Sequence, residues 1–419
     1  MPISALLLGA AILFTGHGLQ NVLIPVRASL EHFATSAIGA IASAYSVGFV
    51  GGCYAIPHMV KRVGHIRAFA VLAASAASVA FAMALLVNPW LWVVLRATAG
   101  FCLAGLFMVI ESWLNEKSNN ANRGQIFSLY MIVNLCSVMT GQLLLASHNP
   151  ADFVLFSIAG IAIAMALVPV NLTSTAAPTP IRQVRLRLGR LYRMSPVGIV
   201  GCFFIGVANG AFGGLGPVYA QRLGLSVGGV ALFMSAGVVG GAIAQFPIGK
   251  LSDRTDRRLV IIGVCVAAAA IELGLAATGG LASLATVRPL PPSTIIAVVG
   301  LLGCTIYTMY ALCVAHTNDF IATQDFVEAS SGLLMTYGLG AICGPLLAAY
   351  LMQHLGPGGL FVFTAAIHVL FALFTIYRIR RRKPVPPAAR PEFVQTETTQ
   401  ITPASVILDP RAADSPPST

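Results

Sequence analysis

His17, Gln20 and Asn21 fall at positions i, i+3 and i+4 of one apolar stretch, so a helix there brings an imidazole and two carboxamides onto a single face. The imidazole can exchange a proton near neutrality. Arg96 lies inside another apolar run, where a fixed cation must find a partner or water. Glu111 follows it by fifteen residues, about 22 Å along a helix, so the two cannot pair. Asn209 sits in a glycine-rich run, and Tyr307 and Tyr310 in a later apolar stretch. Together these groups could relay protons and hold a small polar solute. Each also has a plainer reading: His17 as a neutral hydrogen-bonder between helices, Arg96 as a brace to backbone carbonyls, and the tyrosines as packing. Bond-breaking chemistry is not expected. There is no P-loop, HExxH or GxSxG, and no metal or cofactor site is foreseen.

The elements that must position these residues follow from composition. Of 419 residues, 57% are hydrophobic and only 9% charged, against roughly 25% charged in a soluble domain. Mean hydropathy is +0.83. A bilayer core needs about 20 apolar residues per helix, and twelve such stretches lie between residues 4 and 377. They are continuous rather than alternating, which excludes a β-barrel. All eight cysteines fall in apolar stretches and form no CxxC, so they read as packing residues.

The net charge of +11 then needs no nucleic acid. The loops after the second, fourth, sixth and eighth stretches hold 14 Lys and Arg, and the opposite loops only Arg27, Arg222 and Arg288. Positive charge stays inside, so both termini are expected in the cytoplasm of an inner-membrane protein. Residues 172–195 form a basic linker between six-helix halves at 1–171 and 196–377. Residues 378–419 read as a disordered tail, whose Arg378–Lys383 cluster could meet anionic lipid.

An internal repeat joins the halves. Pro25 matches Pro217 (217 − 25 = 192), and Lys61 matches Asp253 at the same offset. Gly100 matches Gly303 (303 − 100 = 203), as Gly141 does Gly344. The extra 11 falls in a Pro-rich insertion around Val287–Thr294. Duplicated bundles that rock about a midplane site are a transporter architecture.

The loop after the eighth stretch reads Gly249-Lys-Leu-Ser-Asp253-Arg254-Thr-Asp256-Arg257-Arg258. It resembles the G-x-x-x-D-R-x-G-R-R motif of the major facilitator superfamily, with Asp256 for the second glycine. The first-half copy keeps Arg62 and Gly64 but has Pro57 and Lys61 in place of the glycine and aspartate. Arg96-x-x-x-Gly100 is similar to the family's fourth-helix element, while the antiporter signature of the fifth helix is missing. Val109-Ile-Glu111-Ser-Trp-Leu-Asn115, Asn122-Arg-Gly124 and Ala315-His-Thr-Asn-Asp319 narrow the resemblance to the YcaD-like branch.

The resemblance implies an all-α membrane protein with twelve helices in two pseudo-symmetric bundles. It implies a monomeric carrier of a small solute by alternating access, with a proton gradient as energy source and no bound cofactor. A passive facilitator, or a sensor that keeps the fold without transport, are the alternatives. In the family the first, fourth, seventh and tenth helices line the path, which assigns it His17, Gln20, Asn21, Arg96, Glu111, Asn209, Tyr307 and Tyr310. The resemblance makes Gly249, Asp253, Arg254, Arg257 and Arg258, with Arg62 and Gly64, a conformational gate whose arginines can hold carboxylates on the facing bundle when it closes. It puts the helix of Glu272 on the outside of the bundle, away from the path; a carboxylate that deep in a span is either a proton-linked group or a protonated or hydrogen-bonded structural residue, and His368 in the twelfth stretch has less claim to a proton-linked role.

Overall fold

The computed structural model describes residues 2–119, 122–171, 187–279, 290–321, 325–381, 385, 393 and 402–404. The first half contains α1 (Pro2–Leu30), α2 (Thr35–Val63), α3 (His65–Leu85), α4 (Pro89–Lys117), α5 (Arg123–Leu144), α6 (Val154–Met165) and α7 (Leu167–Asn171). A short linker helix, α8 (Leu188–Met194), precedes the second half. That half contains α9 (Pro196–Arg222), α10 (Val227–Arg254), α11 (Arg257–Thr278), α12 (Pro292–Ile306), α13 (Met309–Asn318), α14 (Phe326–Leu355) and α15 (Gly359–Ile379).

Eleven described helices, counting α12 and α13 as one, are long and apolar enough to cross a membrane. The sixth predicted span is a shorter apolar piece, Val154–Val170, broken between α6 and α7. No strand occurs among the described residues. The first part of the insertion, residues 287–289, and residues 172–186 of the linker lie outside them.

Local chemistry sets the helix ends. Asn88 Oδ1 accepts the free N–H groups of Trp90 and Leu91, with Pro89 at the first helical position. Ser195 and Pro196 repeat the device at the start of α9, and Ser226 caps α10. The turn between α1 and α2 places His32 at φ 55, and the turn between α9 and α10 places Gly224 at φ 82. These positions differ by 224 − 32 = 192, the offset of the repeat.

Packing obeys the same offsets. In the first half α1 packs on α5, α2 on α4 and α3 on α6; in the second α9 packs on α14, α10 on α12 and α11 on α15. A Cβ on Gly100 would strike the carbonyl of Tyr45, and one on Gly303 the carbonyl of Gly237. The offsets are 237 − 45 = 192 and 303 − 100 = 203. Gly141 against Thr15 and Gly344 against Val207 repeat the agreement. Such contacts let helix backbones approach closely where lipid supplies no hydrophobic drive between helices.

Successive helices run in opposite directions, so one end of the bundle carries the start of α1, the end of α15 and the described residues of the basic loops. This end is termed the basic face. The halves meet through α2 against α14, α5 against α10, and α1 against α9. Near the opposite face Arg222 Nη2 donates to Thr35 Oγ1 at 2.9 Å, and Gly39 lies against the Pro345 carbonyl. Between α5 and α10, Ser235 Oγ donates to Gln142 Oε1 at 3.1 Å. Toward the basic face, described residues of the C-terminal tail stand between the halves.

Candidate functional site: a cavity between the halves

A cavity of about 220 Å³ lies between the two bundles. From the first half it is lined by His17, Asn21, Tyr45, Arg96, Asn134 and Gln142, and from the second by Gln245, Tyr307 and Tyr337. Apolar groups such as Ile41, Phe49, Val138 and Met234 complete the wall. A few polar groups converging in an apolar cavity suit a small polar ligand.

Arg96, Asn21 and His17 form one chain of hydrogen bonds. Arg96 Nη2 donates to Asn21 Oδ1 at 3.0 Å, and Asn21 Nδ2 lies 2.9 Å from His17 Nε2. A guanidinium only donates, so the Asn21 atom facing it is the oxygen and the amide nitrogen faces His17. That nitrogen in turn only donates, so Nε2 is the unprotonated, accepting atom. His17 is therefore neutral with its proton on Nδ1, which has no hydrogen-bond partner. Tyr45 Oη approaches the same Nε2 at 3.4 Å, and its ring stacks on the imidazole with centroids 5.5 Å apart. Arg96 Cζ lies 4.4 Å from the Tyr45 ring centroid, a cation–π contact that helps keep the charge in a buried place. Its Nε and Nη1 are buried without a hydrogen-bond partner.

Not every predicted path residue reaches the cavity. His17, Asn21, Arg96 and Tyr307 line it. Gln20 is buried outside the lining. Asn209, the repeat counterpart of His17 (209 − 17 = 192), instead donates to the Ile306 carbonyl at 3.4 Å. Tyr310 is buried against Tyr337, edge to face at 5.6 Å. Tyr307 occupies the break between α12 and α13. There Thr308 Oγ1 donates back to the Cys304 and Thr305 carbonyls, side-chain competition that loosens a helix.

Tyr45, Asn134, Gln142 and Gln245 were missed by sequence reasoning. Asn134 and Gln142 are eight residues apart, about two turns, so a polar face of the fifth stretch was the available signal. The family resemblance selects the first, fourth, seventh and tenth stretches and so does not point to the fifth.

Glu111 lies toward the basic face, fully buried and apart from the cavity lining. Tyr130 Oη donates to its Oε1 at 3.1 Å, and the Thr402 hydroxyl donates to Oε2.

Two of the arginines expected at the gate have carboxylate partners within the second half. Arg257, 1% exposed, pairs with Asp253 at 2.9 Å and Asp319 at 3.1 Å, and its Nη1 donates to Ser252 Oγ at 3.0 Å. Arg258 pairs with Asp256 at 2.7 Å. These carboxylates belong to the second half, so in this conformation the arginines brace their own bundle. Asp256, which replaces the motif glycine, also caps α11 through the Arg258 N–H. Burial alone would push its carboxyl up, but the hydrogen bonds and charge of Arg258 outweigh this and hold it below the usual range. Arg254 and Arg62 are exposed. Gly64 ends α2 at φ 84, with its N–H on the Val60 carbonyl at 2.9 Å.

Glu272 and His368 meet away from the cavity lining. His368 Nδ1 lies 2.7 Å from Glu272 Oε2, between α11 and α15, with both side chains nearly inaccessible. No cluster of potential metal ligands occurs among the described residues.

Comparison with known proteins agrees with this architecture. The chain is 26% identical over 381 residues to an uncharacterized MFS-type transporter, YcaD, of Escherichia fergusonii, covering 90% of this chain and 96% of the relative. The nucleoside transporter NupG superposes with a TM-score of 0.77 at 14% identity, covering 91% of this chain and 100% of that one. A bacterial homolog of the human lysosomal transporter Spinster, inward-facing and occupied, superposes at 0.69 with 14% identity, covering 93% and 97%. The sequence profile of the Major Facilitator Superfamily matches residues 6–318 and 273–413. With that match across nearly the whole length, and two six-helix halves around a central cavity, this multi-pass membrane protein belongs to the Major Facilitator Superfamily.

Proposed function

We propose that this protein is a secondary active transporter of the inner membrane. It carries a small anionic or zwitterionic solute by alternating access, coupled to protons. The observation that carries this reading is the Arg96–Asn21–His17 chain in the cavity between the halves. Arg96 turns two unpartnered N–H groups into a site rimmed by carboxamides and a tyrosine, a donor set matched to a carboxylate or phosphate oxygen.

Proton coupling follows from the same chain. Protonating His17 at Nε2 places an N–H against the Asn21 amide N–H₂. Asn21 must then turn, and Arg96 loses its acceptor. Proton and anion binding at Arg96 are thereby linked through one amide, each favouring the state the other needs. The basic face is taken as cytoplasmic from its charge. The closed contacts at Thr35–Arg222 and Gly39–Pro345 then make this conformation inward-open.

Uptake into liposomes of purified protein, with and without a pH gradient, tests the reading. Accumulation driven by the gradient supports it. Equilibration indifferent to the gradient makes the protein a facilitator, and no movement of any tested solute makes it a sensor with the fold of a carrier.

A further inference from the structure

The tail meets both halves at chemically specific points. On the first half, Thr402 N–H and Oγ1–H both donate to the Glu111 carboxylate, and Thr402 is fully buried. On the second half, the Phe393 N–H donates to both oxygens of Asp253, at 3.1 and 3.2 Å. The Phe393 ring lies directly over Gly249, where a Cβ would overlap it. Ala404 N–H donates back to Thr402 Oγ1 at 3.2 Å, closing a tight turn whose middle residue, Pro403, lines the central cavity. Ala404 itself is 3% exposed.

We infer that the C-terminal segment bearing Phe393 and Thr402–Ala404 is an internal ligand of the basic-face mouth, with Glu111 and Asp253–Gly249 as its two receptors. Hydrogen bonds to charged acceptors in a buried place are worth more than ordinary ones, and this segment directs three N–H or O–H donors at two carboxylates. Glu111 therefore serves as a receptor for a hydroxyl-bearing residue, and Gly249 as a bare patch for an aromatic ring. The segment stands between α4 and α10, so the basic face cannot close around the cavity while it is seated. It also engages Asp253, the gate carboxylate that holds Arg257. Its consequence for transport rests on the function proposed above: a seated segment holds the carrier inward-open and slows turnover. The seating itself does not depend on that function.

Cys53 gives a direct readout, because it lines the cavity on α2 about three turns in from the basic end of that helix. The full-length chain with Cys53 as its sole cysteine is purified in detergent and treated with a small polar maleimide. With the opposite face closed, reagent enters past the tail. The Phe393→Ala/Thr402→Val chain should react about tenfold faster than its parent, the order expected for losing a charge-assisted hydrogen bond. Thr402→Ser, which keeps the hydroxyl, should remain slow. Equal rates in the parent and the double variant, including no reaction in either, would overturn the inference. The altered residues lie in the tail rather than in helix–helix contacts, and a monodisperse elution profile checks folding. Failure to find transport in liposomes would refute the proposed function and leave the thiol result standing.

Discussion

Arg96 Nη2 donates to Asn21 Oδ1 at 3.0 Å, and that bond decides which way the amide faces and hence which nitrogen of His17 accepts. A cation on α4 thus selects the tautomer of a histidine on α1 without touching it.

Arg96→Lys should reduce transport about tenfold or more, on the scale of ~1.5–3 kcal/mol for a hydrogen bond to a charged group. Lysine keeps the charge but loses the planar fork that serves Asn21 and a solute together. Initial uptake rates and thermal melting in detergent separate this from a bracing role. A stable, fully active variant would remove Arg96 from the site.

His17→Gln retains an acceptor for the Asn21 amide but has no titratable proton. Counterflow of solute down its own gradient should survive, while a pH gradient no longer drives accumulation. Proton-driven accumulation equal to wild type would place the coupling elsewhere.

Asp253→Asn removes the charge facing Arg257 while Asp319 still holds the guanidinium. Folding and membrane insertion should be preserved and turnover should fall several-fold. The amide oxygen can still accept the Phe393 N–H, so slow Cys53 modification should persist. Unchanged turnover would reduce this loop to a topogenic signal.

Glu272→Ala removes the hydrogen-bond partner of the buried His368 Nδ1, and a buried polar group left unsatisfied costs about 1–3 kcal/mol. Melting temperature should fall sharply, with transport per folded molecule retained. Replacing both residues by leucine should recover much of the loss. A variant that melts normally but loses pH-driven uptake would instead make this pair part of the proton path.

A reporter fused after Arg378 should be active only in the cytoplasm. Periplasmic activity would reverse the orientation taken from the loop charges and with it the inward-open assignment.

The architecture was legible in the sequence because membrane folding obeys one-dimensional rules. Continuous apolar stretches must become helices, since lipid offers the backbone no hydrogen-bond partner. The same offsets that align Gly100 with Gly303 in the sequence recur in the contacts of those glycines, because a repeat in sequence is a repeat in packing. His17 and Asn21 were legible as a pair because one helix turn joins them. What joins Asn21 to Arg96 across 75 residues, or His368 to Glu272 across 96, depends on how helices are rotated and paired. No spacing in the chain encodes that rotation. Tyr45, Asn134, Gln142 and Gln245 entered the cavity by the same tertiary choice, while Gln20, Asn209 and Tyr310 were turned away from it. The contact of Thr402 with Glu111 was least legible of all. In a polar, Pro-rich tail a threonine looks like any other, and only the folded mouth supplies a buried carboxylate that needs its hydroxyl.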